Sequence, residues 1–181
     1  MNQIKIVDGT ANDVHDIRFI QKTTWLATYP NNDLKITKQD ILSRFADDET
    51  LAGKKRIEDR KQKFSQANVH IWVAKDREKT IGFCMAEHEP NNGRLGAIYL
   101  LPEYQGQGIG KKLMEMALKW LEKDNDIYVN VVAYNKPAIA FYQRFGFVKT
   151  GKEVTDAVAI LPSGKILPEI EMVRKTKTKS K

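Results

Sequence analysis

Short β-branched runs alternate along this chain with longer stretches in which apolar residues recur at helical spacing. Ile4-Lys-Ile-Val7 is β-branched and closes on Asp8-Gly9, so a first short strand is expected there. Val14, Ile17 and Ile20 recur at helical spacing as far as Trp25, with Asn12 available as the cap, until Tyr29-Pro30-Asn31-Asn32 breaks the pattern. Thr37 and Asp40, ahead of Ile41, Leu42 and Phe45, form a capping-box pattern that predicts a second, short helix. From Glu49 to Gln66 charge dominates, with Leu51, Ile57 and Phe64 as a thin apolar stripe, the pattern of a solvated surface helix.

Strand-like runs follow at Val69 to Ala74 and Thr80 to Glu87, joined by the polar stretch Asp76 to Lys79 as a hairpin, and then at Leu95 to Leu101. Glycines at 106, 108 and 110 lead into an amphipathic helix from about Gly108 to Lys123. Ile127 to Ala133 alternates as a strand. A helix starts near Asn135-Lys-Pro137 and ends at Gly146, where glycine suits the position after the last turn. Phe147 to Ile160 and Ile166 to Val173 form a terminal hairpin around Pro162-Ser-Gly164. The resulting order predicts an α/β (α+β) fold with a mixed sheet of about seven strands and about four flanking helices. Residues 1–174 form a single domain, and 175–181 a basic disordered tail.

Charge changes this picture less than its sum suggests. The 181 residues carry 30 Lys and Arg against 23 Asp and Glu, a net charge of +7. Five of the basic residues fall between Arg174 and Lys181, which leaves 25 against 23 in the rest, or +2. A basic nucleic-acid-binding protein is therefore the weaker alternative, because only the tail supports it. No apolar run approaches the roughly 20 residues that cross a bilayer, and Met1 to Asp8 has no leader pattern. The expectation is a cytoplasmic protein without a membrane partner. The single cysteine, Cys84, sits in an apolar strand and reads as a core residue in a reducing compartment. Three histidines, at 15, 70 and 88, have no metal-ligand spacing, so no metal is expected.

Candidate chemistry concentrates between Ala97 and Lys112. A buried strand runs into a glycine-rich loop that opens an amphipathic helix, which collects backbone N–H donors and the positive end of a helix dipole around an anion. A Walker A loop would need glycine at 105 and Ser or Thr at 112; Gln105 and Lys112 stand there. A dinucleotide fingerprint would read G-x-G-x-x-G in the first β-α unit, whereas this loop reads Gly106-x-Gly108-x-Gly110 after about 95 residues of other structure.

Gln105-x-x-Gly108-x-Gly110, preceded by Ile98-Tyr-Leu-Leu-Pro-Glu-Tyr104, resembles motif A of the GCN5-related N-acetyltransferases. Asn135-x-Pro-Ala-Ile-Ala-Phe-Tyr-x-x-Phe-Gly-Phe147 resembles the same family's motif B, in the expected order about 25 residues on. The resemblance runs from roughly Trp72 to Val148. It implies an N-acetyltransferase that moves the acetyl group of acetyl-CoA to a primary amine by direct attack, through a tetrahedral intermediate. It also implies a sheet splayed between its fourth and fifth strands, with the coenzyme in the gap. The coenzyme-binding residues it implies are Ile98, Tyr99, Leu100, Gln105, Gly106, Gln107, Gly108, Ile109, Gly110, Lys111, Asn135, Ala138 and Tyr142. The Leu100 N–H would hold the oxyanion, and Tyr142 would be the acid toward the departing thiolate. A non-catalytic acyl-CoA-binding module shares the fold and remains an alternative.

A base is less evident, because Arg94 to Leu101 contains no carboxylate. Glu87, at the end of the neighbouring strand, is the catalytic and acceptor-side candidate; alternation puts Glu87 and Glu89 on one face and His88 on the other. Trp25-Leu-Ala-Thr-Tyr29 is similar to a segment of family members that include polyamine N-acetyltransferases, where it forms part of the acceptor wall; Trp25 and Tyr29 are the implied substrate-binding residues. Convergence of Asp33, Asp47, Asp48, Glu87 and Glu89 would attract a cationic amine. The expected partner is a small-molecule or peptide amine, polyamines included, and family members that dimerise through sheet edges leave a homodimer open.

Overall fold

The computed structural model describes residues 4–46, 50–122, 126–154 and 159–176. A seven-stranded mixed sheet lies at its centre: β1 (Ile4–Asp8), β2 (Val69–Asp76), β3 (Lys79–His88), β4 (Gly93–Leu100), β5 (Asp126–Val132), β6 (Val148–Val154) and β7 (Glu169–Lys175). Its order is β1-β2-β3-β4-β5-β7-β6. Every neighbouring pair is antiparallel except β4 and β5. Their parallel ladder comprises only Gly93 with Ile127 and Arg94 with Tyr128, so beyond Arg94 the two strands part. That opening is the splay expected between strands 4 and 5.

Five α-helices accompany the sheet: α1 (Val14–Thr28), α2 (Lys38–Ser43), α3 (Leu51–Gln62), α4 (Ile109–Trp120) and α5 (Lys136–Arg144). The short helix predicted after Thr37 is α2, six residues long, and it brings the described helices to five against the expected four or so. Its capping box forms as the sequence predicts: the Thr37 hydroxyl accepts from Asp40 N–H at 3.1 Å, and the Asp40 carboxylate accepts from Thr37 N–H at 2.7 Å. Ahead of α1 the cap differs from expectation. Thr10, not Asn12, starts the turn, and the buried Asp13 carboxylate accepts from the Thr10 N–H and hydroxyl, both at 2.9 Å. A short 3-10 turn over Ala11–Asp13 is inserted before the α-helix, which moves the first orphan amides back onto Thr10.

The expected α3 stripe is thinner still, since Leu51 is 90% exposed while Phe64 packs on the core. The terminal hairpin also differs in detail: β7 begins at Glu169, and Ile160 and Ile166 form an isolated bridge before it. Lys175, assigned to the tail by composition, ends β7 with its ammonium 2.7 Å from Asp126. The remainder of the expected tail, 177–181, lies outside the described residues, as do Lys123, Glu49 and 155–158.

Two apolar clusters hold the fold. The larger joins α4 and α5 to the sheet through Leu113, Met114, Ala117, Leu121, Ile127, Val129 and Phe147, all buried. The smaller joins α1 and α2 to β5 and the connection before β7, through Trp25, Tyr29, Ile41, Phe45, Val132 and Leu161. Backbone pairing between the two halves of the sheet is confined to the closed end of the β4–β5 pair, and the apolar clusters bridge them elsewhere. Among the described residues no helix is long and apolar enough to cross a membrane.

Candidate functional site

The gap between β4 and β5 has a main-chain edge of known polarity. Leu101 N–H donates to Ile81 O at 2.9 Å, so Leu101 faces β3; peptide groups alternate along a strand, and the main chains of Leu100 and Ile98 therefore face the gap. Tyr99 does the reverse. Its main chain faces β3, and it serves the site through its side chain. Gly82 permits this arrangement: a Cβ there would meet Leu100 Cδ1 at 2.5 Å and Tyr99 O at 2.9 Å.

At the mouth of the gap the chain turns into the glycine loop. Gln105 Nε2 donates to Leu100 O at 3.0 Å, and Gln107 Nε2 to Glu103 O at 3.1 Å, so both side chains brace the turn. Gly106 and Gly108 have φ of +77° and +80°, with nothing within 4 Å of an added Cβ. Glycine is used here for conformation, and the space above it is open. Gly108 caps α4, so the amides of Ile109, Gly110 and Lys111 form its first turn and have no acceptor within the helix. An open loop, exposed amides and a positive helix end can hold a diphosphate. The Lys111 ammonium sits 3.8 Å from Glu115 on the outer surface, which leaves its amide as the part nearest the loop.

α5 packs beside the start of α4: Phe141 ring atoms stand 3.7 Å from where a Gly110 Cβ would be. Asn135 Oδ1 accepts from Ala138 N–H at 3.2 Å, so these two groups cap α5 and satisfy each other. Tyr142, one turn on, is buried against Phe141 and Phe147. Burial, with the nearby Tyr99 and Cys84, drives its phenol far above the ordinary tyrosine range. It stays protonated, as a hydrogen-bond donor must. Cys84 is buried, and burial raises its thiol too, which fits the core role expected of it.

Opposite Tyr142, the acceptor-side residues assemble into an aromatic wall. Trp25 Nε1 donates to the Tyr99 hydroxyl at 3.0 Å, and Tyr134 donates to Tyr29 O at 2.7 Å. Trp25 meets Tyr29 and Phe45 edge-on, at 5.2 and 5.7 Å between centroids. Tyr29 and Tyr99 interact through their hydroxyls, and desolvation pushes both phenols up. Trp25, Tyr29, Tyr99 and Tyr142 are thus brought together from α1, β4 and α5. The Tyr99 and Tyr134 hydroxyl contacts span 74 and 105 residues, a separation at which no local pattern signals them.

Glu87 is not brought to this group. It lies opposite Val69 and Arg94, where β4 and β5 still pair, and its carboxylate accepts from Asn68 Nδ2 at 3.3 Å. Arg94 is six residues from Leu100, about 20 Å along an extended strand. Glu89 forms an ion pair with Arg94. His88 lies against Trp120 of α4 with the rings tilted and their centroids 3.9 Å apart, on the opposite face from Glu87, as alternation predicts. Asp33 is exposed in the turn after α1, and Asp47 and Asp48 lie outside the described residues. Among the described residues no group of three or more His, Cys, Asp or Glu could hold a metal ion.

Comparison with known proteins places this geometry. Residues 37–147, more than half of the chain, match the model of the acetyltransferase (GNAT) family. Over 87 residues the chain is 34% identical to peptidyl-lysine N-acetyltransferase YjaB of Salmonella typhimurium, covering 48% of this chain and 55% of that protein. It is 34% identical over 83 residues to a Bacillus subtilis subsp. natto protein named "Probable spermine N(1)-acetyltransferase", covering 40% and 55%. The chain thus spans about half the length of these curated relatives. The crystal structure of the PaiA N-acetyltransferase of Thermoplasma acidophilum in complex with coenzyme A superposes with a TM-score of 0.74 at 21% identity, over 96% of this chain and 99% of that one. At that identity the likeness establishes the fold.

Proposed function

Because the chain belongs to the acetyltransferase (GNAT) family, we propose that it transfers the acetyl group of acetyl-CoA to a primary amine by direct attack. One observation carries the proposal: the β4–β5 gap, edged by the Ile98 and Leu100 main chain, runs from an open glycine loop to a buried aromatic wall. The loop amides of Gly106 to Lys111 take the pyrophosphate, with the Gln105 N–H held by Pro102 O and the first-turn N–H groups of α4 without helical acceptors. Pantetheine adds along β4 in the manner of an extra strand. The Leu100 N–H then stands at the thioester carbonyl, where a donor of this kind contributes on the order of 3 kcal/mol to the transition state. Tyr142, kept protonated by burial, donates to the departing sulfur.

Trp25 and Tyr29 close the acceptor side with an apolar, hydroxyl-bearing surface suited to the methylenes and the nitrogen of an alkyl amine. Peptidyl-lysine and spermine, for which relatives are named, carry such alkyl amines, and both classes are candidate acceptors. The test is direct. Acetyl-CoA raises the melting temperature, and thiol appears when spermidine, a lysine-bearing peptide or a peptide with a free N-terminus is added. A melting temperature indifferent to acetyl-CoA would refute the coenzyme site; a coenzyme shift without thiol release would leave an acyl-CoA-binding module.

A further inference from the structure

One carboxylate on the aromatic wall comes from a strand with no motif in it. Glu169 opens β7 opposite Val132. Partners across an antiparallel ladder share a face, and Val132 packs with Trp25 and Tyr29, so Glu169 stands on the same face as the wall. Its Oε2 is buried, and its charge is felt by both the Tyr29 and Tyr99 phenols. Tyr29, in turn, feels Tyr142 across the gap. A carboxylate and the proposed acid therefore both act on the same pair of phenols.

The other titratable groups facing this place come from every neighbouring element. Tyr29 on α1, Tyr99 on β4, Tyr134 after β5 and Tyr142 on α5 are all raised by burial, Tyr134 to about 12. Arg60 on α3 acts on Tyr99, and a guanidinium does not give up its proton in a protein. Glu171, two residues further along β7, faces the Lys152 ammonium of β6 at 3.6 Å. Glu169, opposite Val132, stands nearer the open end of the β4–β5 gap than Glu171, which lies opposite Asn130.

Resting on the acetyl transfer proposed above, we propose that Glu169 is the proton acceptor for the attacking amine. The acceptor arrives as an ammonium, one N–H proton moves to the Glu169 carboxylate, and the freed lone pair forms the N–C bond to the acetyl carbon while the carbonyl π pair moves to oxygen. On collapse the C–S bond breaks and its pair stays on sulfur, which takes a proton from Tyr142. The second nitrogen proton restores Tyr142, and Glu169 releases its proton to water, so one proton leaves per turnover.

The experiment measures thiol release by wild type, Glu169→Gln and Glu169→Asp from about pH 6 to 10, using whichever of spermidine, a lysine-bearing peptide or a free-N-terminus peptide wild type turns over fastest. The acetyl-CoA thermal shift, expected to be unchanged, reports folding and coenzyme binding. Glu169→Gln should lower kcat on the order of 100-fold at neutral pH. The deficit should shrink about tenfold per pH unit toward the amine's own pKa, about 10 for an alkyl amine and about 8 for a peptide N-terminus, where the amine arrives neutral. Glu169→Asp should restore part of kcat, and if the Gln variant does not fold, a wild-type acid limb with lowered kcat in the Asp variant carries the test. Wild-type kcat in both variants, or a deficit of one size at every pH, overturns the proposal. Wild type that gives no acetyl-CoA shift, or releases no thiol with any of the three amines, overturns the acetyl-transfer reading itself.

Discussion

Gly108→Val separates what the glycine loop does for the coenzyme from what it does for the fold. At φ +80° an L-residue is strained by about 1–2 kcal/mol, and because nothing lies within 4 Å of the new Cβ the cost is conformational, not steric. For a chain of this size that is a fall of roughly 2–8 °C in Tm. Relief of the strain requires φ to turn negative, which swings the peptide that carries the α4 first-turn amides away from the pyrophosphate. Loss of one charge-assisted N–H bond is worth about 1.5–3 kcal/mol, so affinity drops on the order of 100-fold. With acetyl-CoA at about 100 times the wild-type Kd, ligand stabilisation of wild type is about 2.7 kcal/mol, and a 100-fold weaker variant keeps about 0.4 kcal/mol. Thermal melting with and without acetyl-CoA reads both quantities. Gly164→Val is the control, since Gly164 also has φ +80° and open space but lies in the turn before β7. It should lose the same stability and keep the full coenzyme shift. Equal coenzyme shifts in Gly108→Val and wild type would refute the pyrophosphate assignment.

Three further outcomes follow from the wall and its supports. Tyr142→Phe keeps the buried ring and removes the hydroxyl; steady-state kinetics should show kcat down by about 10²-fold or more with the acetyl-CoA Kd nearly unchanged. Trp25→Phe deletes the donor to the Tyr99 hydroxyl, a bond worth about 1 kcal/mol, and should raise KM for the amine while leaving the coenzyme shift intact. The Lys165 ammonium, 2.7 Å from Asp40, together with the Thr37 donors, holds the Asp40 carboxyl well below the ordinary carboxylate range. Its contribution is therefore complete above about pH 4 and is lost as pH falls toward the lowered value. Asp40→Asn should flatten the acid limb of Tm against pH; an unchanged limb would show that the pair does not tie α2 to the β6–β7 connection.

Local chemistry explains which parts of the site the sequence made legible. The glycine loop, the Thr37–Asp40 box and the Asn135 cap each depend on residues within about four positions of one another, and each forms where the pattern puts it. The local pattern points to Asn12 as the first cap; Thr10 takes that place because its N–H and hydroxyl donate to Asp13, which is buried with the Lys75 ammonium at 2.8 Å. Glu87 was selected by strand order alone, and the register then put it at the closed end of the β4–β5 pair.

By itself the sequence determined the succession of strands and helices, the position of the glycine loop and, through two motifs, the family, since these rest on φ freedom at glycines, caps and hydrophobic period. Tertiary structure alone decided that β7 enters between β5 and β6, which carries Glu169 onto the wall beside Tyr29 and Tyr99. It also decided that the two halves of the sheet part beyond Arg94 and that Trp25 bonds Tyr99 across 74 residues. Such contacts are fixed by which faces of distant elements can bury each other's apolar surface, and no window of the chain contains both partners.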